Sequence, residues 1–171
     1  PTQKSIERSV GLMKKAGVSM VRMDFLWQDI EPVQGRLDFS KYDRIVDILS
    51  ENDIRILGAL SYHTDWASPT GAWNVPAKDH SLFINYCTQV VKRYKGRVNH
   101  WEIWNEPDSR VYWEPQDDLK GYVELLKNVY PAIKQIDPGC FILNGGLAEG
   151  LASVNKLYDN GAKDYFDIMN I

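Results

Sequence analysis

The sequence predicts an α/β fold in which parallel strands alternate with helices. Three observations predict it. Helix-like and strand-like apolar patterns take turns along the 171 residues. The segments that follow strands are long and rich in Trp, Asp and Pro, notably 25–39, 61–79 and 105–117, whereas those leading from helices back into strands are short. No glycine-rich phosphate loop follows any strand, which counts against a doubly wound, nucleotide-binding sheet. Elaborated loops at the strands' C-terminal ends are the layout of a (β/α)8 barrel.

Residues 3–16 place Ile6, Val10 and Met13 on one helical face and stop at Gly17, a C′ glycine. Residues 18–25 read as a strand. Residues 40–52 read as a helix with Tyr42, Ile45, Val46 and Leu49 on one face and Ser40 as its N-cap. Residues 54–61 form a second apolar strand. Residues 80–95 form a helix through Phe83, Tyr86, Val90 and Tyr94, capped by Asp79 and stopped by Gly96. The strand at 98–104 follows, then a long helix at 117–136 bent at Pro131. A fourth strand at 140–145, a helix at 150–160 and a fifth strand at 166–171 complete the series. Five strands are fewer than a closed barrel needs. The expected architecture is a partial (β/α)8 barrel, one incomplete domain over 1–171, running from the first helix to the sixth strand with strands 1, 7 and 8 absent. Its open strand edges are expected to pair with the remainder of a longer chain or to drive self-association.

Composition narrows the function. The chain is 44% hydrophobic and 25% charged with net charge −3, so nothing points to nucleic acid or an anionic membrane. No apolar run approaches the roughly 20 residues of a membrane span. Cys87 and Cys140 fit no metal motif and read as buried thiols. His63, His80 and His100 are too scattered for a metal site, and no cofactor is expected. The compartment, secreted or cytoplasmic, is not readable from these residues.

The densest chemical signal is the run Val98-Asn99-His100-Trp101-Glu102-Ile103-Trp104-Asn105-Glu106-Pro107. Pro107 cannot extend a central ladder, so Glu106 sits at or just past a strand's C-terminal end, where barrels keep their chemistry. Alternation puts His100, Glu102, Trp104 and Glu106 on one face and sends Asn105 to the other. Both Asn105 and Glu106 reach one pocket only if the strand ends or bulges at 104–106. On the strand at 18–25, Arg22 and Asp24 share the face that would line the barrel, and a buried Arg22 needs Asp24 or Glu102 as partner. Trp27, Trp66, Trp73 and Trp113 lie in loops at the same predicted end, where indole faces can stack on a pyranose.

The stretch Trp101-Glu102-Ile103-Trp104-Asn105-Glu106-Pro107 resembles the fourth-strand signature of clan A glycoside hydrolases. Val21-Arg22-Met23-Asp24-Phe25-Leu26-Trp27, followed by Ile30-Glu31-Pro32 and Gly35, resembles the clan's second strand. Leu60-Ser61-Tyr62 through Trp66-Ala67-Ser68 resembles its third. Asn144-Gly145-Gly146 before Phe166-Asp167-Ile168-Met169-Asn170-Ile171 is similar to the fifth and sixth strands of family 39. The resemblance implies a retaining hydrolase of β-glycosides such as xylosides or glucosides, with a carbohydrate as its partner. It implies that Glu106 is the general acid/base and that Asn105 binds the sugar 2-hydroxyl. By the same resemblance Arg22 lies beneath the catalytic carboxylates, and His63 and Trp66 line the glycone side; Asp24, Trp27 and Trp104, from their strand and loop positions, are further candidate substrate-binding residues. The clan's nucleophile is a Glu closing the seventh strand, and this sequence holds no match to it; Glu149 follows the fifth strand but starts a helix. The 171 residues alone are therefore expected to be inactive. Two other readings stand beside this one: a non-catalytic carbohydrate-binding or scaffold protein with a degenerate barrel, and a metal-dependent hydrolase centred on His63 and Asp65.

Overall fold

Six helices and four strands alternate along residues 2–171, which the computed structural model describes. They are α1 (Gln3–Lys15), β1 (Met20–Leu26), α2 (Trp27–Ile30), α3 (Ser40–Glu51), β2 (Arg55–Ser61), α4 (His80–Tyr94), β3 (His100–Ile103), α5 (Lys120–Ile136), β4 (Phe141–Asn144) and α6 (Leu151–Asp159). The strands pair in sequence order, β1-β2-β3-β4, and every pairing is parallel. Helical crossovers join them, as a parallel sheet requires.

Local chemistry sets the boundaries. Gly17 takes φ +74°, and the Val18 amide donates to the Met13 carbonyl at 2.9 Å, closing α1. That closing turn delays β1 to Met20 instead of residue 18. Asp79 accepts the Ser81 amide at 2.9 Å and opens α4. The expected cap of α3 is corrected: Ser40 lies inside the helix, and Asp38 accepts its amide at 2.9 Å. α5 begins at Lys120, later than expected, because the Asp117 carboxylate takes the Gly121 amide at 2.7 Å. The helix then runs unbroken through Pro131.

The helix-facing side chains of the strands form the core. Phe25 stacks on Tyr42 at 4.9 Å and meets the edge of Trp101 at 5.3 Å. A Cβ on Gly58 would fall 2.6 Å from the Trp101 ring, so only glycine lets β2 pass beneath that indole. Trp101 and Ile103 of β3, and Ile142 of β4, are fully buried.

The strand count is corrected from five to four. Residues 166–171 run beside β4, but only Leu143 and Ile168 form a bridge. The Asp167 and Ile168 amides both reach the Ile142 carbonyl, at 2.7 and 3.2 Å, and side chains supply the remaining ties. Asp167 accepts the Ile142 amide at 2.8 Å, and Asn144 exchanges hydrogen bonds with the Asn170 backbone at 2.8 and 2.9 Å. On the opposite side, β1 is the free edge of the sheet.

Candidate active site

The β3 ladder ends at Ile103, and the backbone then turns sharply. Trp104 has φ +68° and Glu106 φ +43°, left-handed conformations that side-chain-bearing residues rarely adopt. The break at 104–106 is what the alternation pattern required. It turns the Trp104 indole into the core, where its Nε1 donates to the Tyr112 carbonyl at 2.7 Å, and it brings Asn105 and Glu106 together onto one cleft.

The surrounding structure holds this turn in place. The Tyr122 hydroxyl donates to the Ile103 carbonyl at 2.9 Å and accepts the Gly145 amide at 2.7 Å, joining the ends of β3 and β4. A side chain at Gly145 would meet the Ile103 carbonyl oxygen and the Pro107 ring at 3.0 Å, so the close approach calls for glycine. The buried Asp108 carboxylate accepts the amides of Ala148 and Glu149 at 3.0 and 2.8 Å. The segment after Glu106 is thereby tied to the segment after β4.

The cleft, about 270 Å³, is walled by Arg22, Glu102, Asn105, Glu106, Gly146 and Asn170, among others. Glu102 is fully buried beneath it. Its carboxylate accepts from Arg22 Nε at 2.6 Å, Arg22 Nη2 at 3.0 Å and the Gly146 amide at 3.0 Å. Arg22 Nη2 also donates to Asn105 Oδ1 at 2.7 Å, which fixes the Asn105 amide and turns its Nδ2 the other way. Asp24 lies 3.7 Å from Arg22 Nη1. Burial pushes the Asp24 carboxyl above its ordinary range, and Glu102 adds to this against the pull of Arg22. The Glu106 carboxylate takes no hydrogen bond or ion pair among the described residues.

Arg22, Asn105 and Glu106 thus meet in one cleft. Asp24 and His63 line an adjacent pocket with Leu26, Gln28, Tyr62 and Trp73. Two expectations are corrected. Trp27 and Trp104 are fully buried and offer no face to a sugar. The Trp27 indole folds back so that Nε1 donates at 2.8 Å to the carboxylate of buried Glu31, the C-cap of the one-turn helix α2. Trp66 is half-buried, its Nε1 on the Glu31 carbonyl at 2.8 Å, and Trp113 is buried, so of the four loop indoles Trp73 is the exposed one. Arg22 is less buried than expected because β1 is an edge strand, with 39% of its side chain exposed. Glu149 lies near Lys156, outside the walls of the cleft. His63 Nε2 meets Asp65 at 3.4 Å, but among the described residues no three His, Cys, Asp or Glu side chains gather as a metal site would need. Sequence reading passed over Tyr62, Tyr122, Gly146 and Asn170; the doubled Gly145-Gly146 after a strand was the legible sign of a close approach.

The parallel sheet, its helical crossovers and a carboxylate on the turn that ends a strand are the layout of a partial (β/α)8 barrel. The glycoside hydrolase 42 family, described as β-galactosidase, matches residues 1–72. β-Galactosidase BbgII of Bifidobacterium bifidum is 27% identical over 154 residues, covering 75% of this chain and 22% of that one. Endo-1,4-β-xylanase 3 of Hypocrea jecorina is 33% identical over 147 residues, covering 81% and 40%. A family 39 glycoside hydrolase from Bacteroides cellulosilyticus superposes with a TM-score of 0.84 at 27% identity, over 99% of this chain and 35% of that one. These similarities are all to glycoside hydrolases, a family 39 enzyme among them. It spans between 20% and 23% of the length of the first curated relatives it matches.

Proposed function

We propose that the chain carries the proton-donor half of a retaining β-glycosidase, with Glu106 as general acid/base. One observation carries the reading: Glu106 is a carboxyl without a partner among the described residues, held by a left-handed backbone on a cleft wall beside Asn105, in a chain similar to glycoside hydrolases. A donor must be free to meet the leaving oxygen, and every nearby carboxylate that is not free, Glu102 above all, is already satisfied.

In the first step the Glu106 carboxyl gives its proton to the glycosidic oxygen as the bond from that oxygen to the anomeric carbon breaks. A second carboxylate, supplied by a part of the protein outside these residues, forms an ester to the anomeric carbon. In the second step the Glu106 carboxylate takes a proton from water, the water oxygen bonds to the anomeric carbon, and the ester breaks to free the sugar and the nucleophile. Such a pair stands about 5–5.5 Å apart in retaining enzymes. Asn105, oriented by Arg22, presents its Nδ2 to a sugar hydroxyl. The substrates are β-linked glycosides of the kind named for the relatives, galactosides or xylosides. The free edge of β1 is covered, on this reading, by the rest of the barrel.

The test is Glu106→Gln in the full-length protein. Turnover of natural glycosides should fall about 10²–10⁴-fold, the span expected for loss of a general acid. Aryl glycosides with good leaving groups should lose far less in the bond-breaking step. Equal losses on both, or glycan binding by the unaltered full-length protein with no turnover at all, would overturn the assignment.

A further inference from the structure

We propose that Tyr122 is a positioning residue for the proton transfer: its hydroxyl fills the last rung between β3 and β4, ends β3 at Ile103, and so sets where the Glu106 carboxyl stands. This rests on the glycosidase reading above.

The rung can be located by counting. The Phe141 amide donates to the Asn99 carbonyl at 2.8 Å. A parallel ladder repeats at every second residue of each strand, so a regular continuation past the Ile103–Asn144 pairing would set the Gly145 amide on the Ile103 carbonyl. The Tyr122 hydroxyl stands between these groups instead. It accepts from Gly145 at 2.7 Å and donates to Ile103 at 2.9 Å, a double role open to a hydroxyl and closed to an apolar side chain. On the other side of β3 the backbone pairing goes one step further, the Trp104 amide donating to the Leu60 carbonyl at 2.9 Å. The end of β3 is thus held by backbone on one side and by a side chain on the other, and the left-handed turn starts at that asymmetry. Tyr122 is itself firmly placed. It is fully buried, the edge of Trp113 meets its ring at 5.7 Å, and Asp117 fixes the start of its helix through the Gly121 amide at 2.7 Å. Burial drives its phenol well above the ordinary value, so the donor keeps its proton. Glu106 follows Ile103 closely, and its carboxylate has no partner among the described residues, so the main chain decides where it stands. A displacement at Ile103 passes directly to the proton donor.

The experiment is Tyr122→Phe in the full-length protein, assayed on β-glycosides whose leaving groups run from activated phenols to sugars. Without the hydroxyl, the Gly145 amide and the Ile103 carbonyl should pair directly, β3 should gain its rung, and the turn should shift. On poor leaving groups kcat should fall about tenfold, inside the loss that a small misplacement of a catalytic group can cause. KM should hold steady, and the most activated phenols should lose little in the bond-breaking step. A tyrosine with a merely structural role would not sort substrates by leaving group. A loss equal across the series, or lower stability with kcat unchanged on every substrate, overturns the inference. Should Tyr122→Phe not fold, Trp113→Phe keeps the hydroxyl but loosens its seat. Its loss in kcat should then grow as the leaving group worsens, and a uniform loss or none overturns the inference. Glu106→Gln on the same substrates separates the two readings. Leaving-group dependence there but not in Tyr122→Phe removes the positioning role alone; its absence in Glu106→Gln removes the acid assignment on which that role rests.

Discussion

Glu102 lies on the ladder of β3, fully buried, while Glu106 lies just past the strand's end on an open cleft. Alternation assigns both to one face of the sheet. A regular ladder delivers Glu102 to fixed donors, Arg22 of β1 and the Gly146 amide just past β4, and both of its oxygens are taken. The left-handed turn after Ile103 removes Glu106 from any such neighbour. Its main chain is held instead, by the Ser109 amide on the Glu106 carbonyl at 3.0 Å and by Tyr122 and Asp108 on either side. The difference teaches how one amino acid serves two ends: regular backbone makes a carboxylate structural, and a pinned irregularity makes it available.

The most forceful way to break the comparison is to truncate each carboxylate and measure stability by urea unfolding. Removing one member of a buried ion pair typically costs about 3–5 kcal/mol. Glu102→Ala should fall at the low end, about 3 kcal/mol, because the Arg22 left behind is 39% exposed and rehydrates. Glu106→Gln should stay within about 0.5 kcal/mol, as for a substitution that breaks no contact. Similar losses at both positions would mean that Glu106 also has a structural partner.

Most of the frame that produces this contrast was legible in the sequence, because helix and strand periods and glycine stops depend on neighbours along the chain. Gly17, Asp79 and the break before Pro107 all belong to that class. What depends on contacts across the chain was not legible. The spacing at the end of β1 placed Trp27 near the cleft but could not show that its indole would fold back onto Glu31. The alternation in Phe166-Asp167-Ile168-Met169-Asn170-Ile171 looked like a strand. Asp167, however, turns its carboxylate toward the Ile142 amide and occupies the place a ladder would need. Arg22 and Glu102, 80 residues apart, could be named as candidate partners from the strand faces, but the further bond from Arg22 to Asn105 depends on the register of β1, β2 and β3 and was not legible.

Asp167 offers a second, smaller test, since it is a carboxylate made structural without a ladder. Burial pushes its carboxyl up, but Lys134 at 2.7 Å, the Ile142 amide and the Tyr130 hydroxyl outweigh this and hold it below the ordinary range. A carboxyl with a lowered folded pKa stabilises above its unfolded value and loses that contribution as pH falls through the folded one. Asp167→Asn should therefore cost about 1–2 kcal/mol at pH 7, the scale of a charge-assisted hydrogen bond, and the gap to the unaltered chain should close in acid. A gap that persists unchanged at low pH would show that shape, not charge, fastens this segment to β4.

Asp24 gives the smallest effect, and it decides on which side of the comparison a third carboxylate belongs. Its carboxyl is raised, first by burial and then by Glu102, and Arg22 only partly offsets this. For a raised acid the sign reverses: the favourable contribution exists while the group is protonated and is lost as pH rises through the folded pKa. At pH 7 the ionised Asp24 works against folding. With 41% of the side chain exposed, solvent screening keeps the penalty below about 0.5 kcal/mol. Asp24→Asn should then raise Tm by about 1–2 °C at pH 7 and leave it unmoved near pH 3. A stabilising replacement would place Asp24 with Glu106, as a charge kept against stability for what it binds. A drop in Tm at pH 7 would place it with Glu102, as a partner that Arg22 needs to hold its position.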